Sequence, residues 1–425
     1  MEFIDGYKLM SILRHTLNKL DYRLIDHGYR VAYMAWKCAL FEGNLQPEEL
    51  RDFTITSFLH DIGAYKTDDI EKMVEFETQD IMKHSVYGYL FLKYLAPLKD
   101  YSRAILCHHM PYNKLKNYNI PEWKYIQILF ICDRFDILMT IYNDVQEAKN
   151  KLLEHSETLF SLDMLDLFFQ ADVEHHFIED VYLKDIELDF SEISKILHSD
   201  EELRAYLDMI TYSIDFRSEY MITHTMTTNR IALHIGKLMQ VSTSELEKID
   251  LGSIFHDLGK IGIPSEILDF PGKLDDEQMI IMRKHVDYTI EILDHLIEED
   301  IVQIAVRHHE KLNGTGYPLG LNENDLTMNE RIVAVADIVS ALYEQRSYKA
   351  ALQKHEIVKI LRSNVNHHEL DSTIVETTIA HYDEIIAQVQ KECDPMILLY
   401  SKLSKLYPEI CQNMEEYLIK GTSLT

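Results

Sequence analysis

Five histidines and two aspartates recur in this chain as an ordered set, once in each half, at similar intervals. The first half carries His27, His60-Asp61, His84, His108-His109 and Asp133; the second carries His224, His256-Asp257, His285, His308-His309 and Asp337. Between them, apolar residues fall at three-and-four spacing, as in "HGYRVAYMAWKCALF" (27–41) and "TNRIALHIGKLMQ" (228–240), and strand alternation is scarce. A duplicated set carried on helical periodicity restricts the chain to two copies of one helical unit. Its 425 residues suffice for two or three domains, and 14 Gly with 9 Pro favour helix over sheet. The expected fold is all-α: a first domain over 1–150, a helical linker over 151–210, and a second domain with C-terminal helices over 211–425. The clearest loops are "YNKLKNYNIPEW" (112–123) and "EKLNGTGYPLGLNENDL" (310–326), rich in Asn, Gly and Pro. The acidic stretch 154–204 keeps apolar positions at helical spacing and reads as helices bridging the halves.

The formal net charge of −29 disfavours a nucleic-acid polymer as partner, because such binding rests on Lys and Arg neutralising phosphates. A small anionic substrate remains compatible if local cations or metals offset the charge. The 5 Cys form no CxxC pair, which fits a reducing compartment and argues against thiolate zinc. The N-terminus "MEFIDGYKLM" lacks a basic region followed by an apolar run, and no run of 18 apolar residues occurs. The chain is therefore expected to be cytoplasmic and soluble, without a membrane partner. The sequence also permits a homodimer through apolar faces of the duplicated helices.

Imidazole and carboxylate together are ligands for first-row divalent metals. Five His and two Asp exceed the needs of one structural ion. They suit two ions roughly 3.5–4 Å apart, bridged by carboxylate oxygens. Such a pair holds a hydroxide between the ions, polarises phosphoryl oxygens and stabilises a leaving oxygen. Hydrolysis of a phosphate ester uses all three effects. The second copy, "SIFHDLGKIGIP" (253–264), adds Lys260 four residues after His256, on the same face if the helix continues. A cation there neutralises charge developing on a phosphate. The first copy, "SFLHDIGAYKT" (57–67), has Ala64 instead.

"HDLGKIGIP", "HHEKLNGTGYPLGL" (308–321) and "RIVAVADIVSALYEQRSYK" (331–349) together resemble the HD-GYP phosphodiesterases, over roughly residues 215–385. The resemblance implies an all-helical fold of tandem HD-type domains and hydrolysis of a cyclic dinucleotide, cyclic di-GMP or 3'3'-cyclic GMP-AMP, to the linear dinucleotide. It implies iron or manganese as cofactor, with other divalent metals allowed. The metal ligands then are His224, His256, Asp257, His285, His308, His309 and Asp337. Asp257 would bridge, with His224, His256 and Asp337 on one ion and His285, His308 and His309 on the other. Lys260 and Asp257 take the catalytic roles. Gly314, Gly316, Tyr317, Pro318, Arg346 and Lys349 take the substrate-binding ones. Trinuclear members have a Glu four residues before the first His; this chain has Tyr220 there, and Glu219 is one position off. Two metals are therefore expected. The family's Arg-Pro-Tyr is Arg346-Ser347-Tyr348 here.

The first half looks like a diverged HD domain. It lacks the lysine, has Met110 where the second copy has Glu310, and has no GYP loop. His27, His60, Asp61, His84, His108, His109 and Asp133 form a second candidate metal site, in a domain expected to be regulatory or dimerising. Two competing functions are also compatible with the sequence. One is a cyclic-dinucleotide sensor without turnover. The other is an HD phosphohydrolase for another nucleotide, such as a dNTP or an alarmone.

Overall fold

The computed structural model describes residues 3–19, 26–66, 82–183, 190–194, 199–216, 223–270, 272–344 and 352–420. The regular structure among those residues is helical, with two isolated β-bridges and no strand. The first half contains α1 (Gly6–Leu17), α2 (His27–Glu42), α3 (Pro47–Phe58), α4 (Met82–Leu95), α5 (Ser102–Cys107) and α6 (Trp123–Tyr142). Next come α7 (Val145–Glu154), α8 (Leu162–His175) and α9 (Phe177–Tyr182). The second half contains α10 (Asp200–Asp215), α11 (His224–Leu238), α12 (Thr243–Phe255), α13 (Asp276–Leu293), α14 (Glu299–Val306) and α15 (Met328–Tyr343). It ends with α16 (Lys354–Asn366), α17 (Ser372–Ala380) and α18 (Tyr382–Lys420).

Local chemistry sets many of these boundaries. Ser199, Asp275 and Thr327 each accept a backbone N–H three residues on, and Glu202, Gln278 and Glu330 return the bond to complete capping boxes. Pro47 opens α3, where a missing N–H costs nothing. Helix α6 is mostly apolar and buried without a break from Ile126 to Met139, its charged Asp133, Arg134 and Asp136 included, so it is the central helix of its half. Its counterpart α15 is buried from Asn329 through Ser340, except for Arg331 and Ile338.

The two halves match element for element. In each, a helix begins on the first His (α2, α11). A second helix ends just before the His-Asp pair (α3, α12), and a 3₁₀ turn follows, Ile62–Lys66 or Leu258–Gly262. Gly63 and Gly259 let that turn press on the next helix. A Cβ there would lie 2.0 Å from the His84 carbonyl oxygen and 1.9 Å from that of His285, closer than any side chain allows.

Helices α8 and α9 pack on α2, and α8 also on α6. The halves meet reciprocally. Helix α1 packs on α13 and the second 3₁₀ turn; its counterpart α10 packs on α4 and the first turn; α1 and α10 also touch. At this seam the His15 Nδ1–H donates to the Ile292 carbonyl at 3.1 Å, and Lys19 pairs with Glu291. Helix α18 runs from α11 across to α4, where Tyr407 stacks on Tyr87 at 3.9 Å between ring centroids. Among the described residues, no helix is long and apolar enough to cross a membrane.

Candidate metal centre of the second half

Five of the seven second-half residues lie within one turn of a helix end, while His285 projects from the middle of α13 and Asp337 from the middle of α15. His224 Nε2 lies 3.4 Å from Asp257 Oδ2 and 3.1 Å from Asp337 Oδ1. His256 Nε2 lies 3.1 Å from Asp257 Oδ2, and His285 Nε2 is 3.6 Å from Asp257 Oδ1. The two oxygens of Asp257 thus face different histidines. The ligand atoms of His224, His256 and Asp257 fall within 4.8 Å of one another, as do those of His285, His308 and His309. Asp337 stands beside both sets, with its Oδ2 at 3.9 Å from His309 Nδ1.

The outer nitrogens of these rings are anchored. Nδ1–H of His256, His285 and His308 donates to the carbonyls of Ser253, Met282 and Ala305 at 2.8, 2.7 and 2.6 Å. That leaves each Nε2 lone pair facing inward. His256 Nε2, His285 Nε2, His308 Nε2 and Asp257 Oδ1 are buried without a hydrogen-bond partner. Buried polar atoms are rarely left so. Lone pairs and a carboxylate oxygen converging on one point, each oriented from behind, suit a divalent cation.

Electrostatics agrees. Burial pushes the Asp257 carboxyl up, but His256, Lys260 and His224 pull it well below the usual carboxylate range. Burial lowers His224, yet Asp257, Asp337 and Glu344 raise it well above the ordinary histidine value. A proton on His224 thus stands where the carboxylates attract a cation. His309 falls to about 3, through burial against the opposing pull of Asp337.

Lys260 reaches Asp257 Oδ2 at 2.5 Å, though not along a continuous helix. Helix α12 stops at Phe255, and the 3₁₀ turn swings the lysine back over the His-Asp pair. The loop after α14 is held by Glu310, which is buried and accepts the backbone N–H groups of Leu319, Gly320 and Leu321 at 2.7, 3.1 and 2.9 Å. Gly314 has φ +76°, and a Cβ on Gly316 would lie 2.5 Å from the Glu310 Cα. The loop so folded lays Tyr317 over His309, with ring centroids 4.6 Å apart, and the Tyr317–Pro318 peptide is cis. Arg346, Lys349, Glu219 and Tyr220 lie outside the described residues.

Three contributors carry no motif in the sequence. Ser340 Oγ lies 3.2 Å and Glu344 Oε2 3.4 Å from His224 Nδ1, orienting that ring. They follow Asp337 by three and seven residues, a helical spacing that marks the same face. Arg283, two residues before His285, lies over the Tyr317 ring at 4.6 Å.

The first-half residues converge in the same way. His27 Nε2 lies 3.6 Å from Asp61 and 3.4 Å from Asp133, and His60 Nε2 is 3.2 Å from Asp61. Asp61, His84, His108 and His109 form one group with ligand atoms within 4.8 Å, and His27, His60 and Asp133 form another.

A helical pocket of inward imidazoles and carboxylates beside a lysine defines a metal-dependent phosphohydrolase. The chain belongs to the HD-domain family in two copies, matching at residues 24–138 and 208–374, and the second copy is of the HD-GYP type. It is 28% identical over 377 residues to the 3'3'-cGAMP-specific phosphodiesterase 1 of Vibrio cholerae, covering 84% of this chain and 86% of the relative. It is 33% identical over 211 residues to the 3'3'-cGAMP-specific phosphodiesterase 2 of the same organism, covering 49% of this chain but only 40% of the relative. The crystal structure of the V. cholerae cyclic GMP-AMP-specific phosphodiesterase V-cGAP3 aligns with TM-score 0.57 at 19% identity, covering 90% of this chain and 98% of that one, which supports the fold.

Proposed function

We propose that the second half hydrolyses a cyclic dinucleotide, 3'3'-cyclic GMP-AMP or cyclic di-GMP, to the linear dinucleotide, using two divalent ions of iron or manganese. The observation that carries this reading is the convergence of Asp257, Lys260 and the inward imidazoles beneath a loop that sets Tyr317 over His309. Asp257 turns one oxygen toward His224 and His256 and the other toward His285, an arrangement suited to a carboxylate shared between two ions, with Asp337 facing His224 and, at longer range, His309. His224, His256 and Asp337 would hold one ion, and His285, His308 and His309 the other. When bound, two such ions polarise the phosphoryl oxygens and lower the pKa of the attacking water.

The protein supplies the rest. Asp257 is held ionised and accepts from Lys260. The lysine ammonium is thereby placed to offset negative charge gathering on the phosphoryl oxygens. A new P–O bond forms to the water oxygen, the bond to one ribose oxygen breaks, and a proton passes to that leaving oxygen. Tyr317 is packed against His309 with Arg283 over its ring, so the loop brings an aromatic edge and a cation suited to a phosphate to the pocket. Gly314, Gly316 and Pro318 shape that loop, and Arg346 and Lys349 are assigned to substrate by their motif alone.

The deciding experiment is hydrolysis of 3'3'-cyclic GMP-AMP and cyclic di-GMP side by side, with manganese or anaerobic ferrous iron, by wild type and His256→Ala. The relative aligned over 84% of the chain is 3'3'-cGAMP-specific, so the mixed substrate is expected to turn over faster. Loss of turnover in the variant supports the reading. Absence of turnover in wild type overturns it in favour of a sensor.

A further inference from the structure

The first-half cluster carries a counterpart of every candidate ligand in the second centre and little of what binds a substrate, although His84 Nδ1 lacks the carbonyl partner that anchors His285 and its Nε2 faces that of His109 at 3.2 Å. His60 Nδ1–H donates to the Ser57 carbonyl at 2.8 Å and His108 Nδ1–H to that of Ile105 at 2.5 Å, as their counterparts do. His27 Nδ1 pairs with the buried Asp136 at 2.7 Å, and Asp136 in turn accepts from Arg30 and from the Tyr182 hydroxyl. The inward atoms His60 Nε2, Asp61 Oδ1 and His108 Nε2 are buried and lack a hydrogen-bond partner, and His60 and His108 are fully enclosed.

One difference decides where an ion would sit. In the second half the local cation, Lys260, lies on Asp257, which faces both histidine groups. In the first half that position is Ala64, so the counterpart of Lys260 is missing beside the equivalent Asp61. The cation has moved to the other carboxylate: Arg134, buried at 3% side-chain exposure, lies on Asp133 with NH2 contacts of 2.9 and 3.1 Å. The corresponding second-half position is Ile338. A guanidinium held there opposes a metal ion on the same carboxylate, because like charges at that range in a buried site repel strongly.

We propose that the first half is an ion-binding centre in its own right, whose tight divalent ion is held by Asp61, His84, His108 and His109, while Arg134 contests the group formed by His27, His60 and Asp133. This centre stands independently of hydrolysis in the second half.

The test uses the full chain carrying Asp257→Ala and His308→Ala, which removes a ligand from each second-half group. The protein is stripped, reloaded with manganese, desalted and analysed for metal, with circular dichroism as the check on folding. Retention of about one manganese per chain is expected, rising to about two when Arg134→Gln is added. Adding His108→Ala abolishes the bound manganese, whereas adding His27→Ala leaves it in place. Should His108→Ala not fold, His84→Gln replaces it with the same expected loss. Electron paramagnetic resonance then separates a lone ion from the coupled pair expected with Arg134→Gln. No manganese in the starting variant overturns the proposal, as does an ion that survives loss of His108 or His84 but not of His27. An unchanged content with Arg134→Gln overturns the role given to the arginine.

Discussion

The two halves place the same seven side chains in nearly the same geometry and then treat the surroundings differently. His256 and His60 both lie 3.1–3.2 Å from the adjacent Asp and both anchor Nδ1 on the carbonyl three residues earlier. Asp257 is 3% exposed under Lys260, whereas Asp61, beside Ala64, is 18% exposed. After the double His, the second half has Glu310 gathering a loop by three backbone bonds; the first has Met110 and then the short turn Tyr112–Leu115. On the proposed reading, holding ions and converting a substrate are separable demands: rings oriented from behind would meet the first, and a cation on the central carboxylate with a loop over the pocket would meet the second.

The largest effect that would break this comparison is loss of the central carboxylate. Asp257→Ala is expected to reduce cyclic-dinucleotide hydrolysis by at least ~10³-fold, since charge stabilisation and ion binding go together. Asp61→Ala should leave most of that hydrolysis intact. A comparable collapse with Asp61→Ala would place the chemistry in the first half. Lys260→Ala should lower kcat by about 10²-fold while metal content by elemental analysis stays near wild type. Loss of metal with Lys260→Ala would show that the lysine positions Asp257 rather than serving the phosphate.

Gly63→Ala and Gly259→Ala sharpen the structural half of the comparison. Each methyl would meet a carbonyl oxygen at about the same separation, 2.0 and 1.9 Å, so both should destabilise by ~3 kcal/mol in denaturant melts. A clear inequality would mean that the turns are not equivalent. Glu310→Gln is expected to raise KM by about 10-fold with a smaller change in kcat, because a charged acceptor of three N–H groups becomes a neutral one. A change confined to kcat would give Glu310 a role at the reacting atoms.

The smallest effect concerns pH in the metal-stripped protein. His84 and His309 are both lowered to about 3, mainly by burial. Between about 6.5 and 3 the unfolded chain therefore binds protons that the folded chain refuses, and stability falls as pH drops through that window. His27 runs the other way. Burial lowers it, but Asp133 and Asp136 raise it to about 9, so its contribution is present below 6.5 and fades as pH rises toward 9. Thermal melts from pH 4 to 9 should show a maximum near neutrality. A Tm that keeps rising toward pH 4 would contradict the buried neutral state of His84 and His309.

Much of this was legible in the sequence because it is local or periodic. The all-α character follows from three-and-four spacing, as in α2 and α11. The candidate ligands follow from identity and order, because a duplicated set survives without knowledge of where each side chain points. The outer partners were not legible. Ser340 and Glu344 are ordinary residues until the fold sets them behind His224, and Arg283 gains meaning only when the loop brings Tyr317 beneath it. Arg134 follows Asp133 directly and reads as a surface charge, yet it is buried on that carboxylate.

The sequence by itself determined which side chains are available for metal chemistry, that they come twice, and that one copy alone keeps the lysine and the glycine-rich loop. Only the tertiary structure decided that α1 and α10 each pack on the opposite half, and that the local cation lies on Asp257 in one centre and on Asp133 in the other. The physical reason is range. Helix periodicity and turn chemistry act within a few residues, whereas the groups behind His224 and His27 lie 116 and 109 residues away, and the helix partners of α1 and α10 lie in the opposite half, so burial alone brings them together.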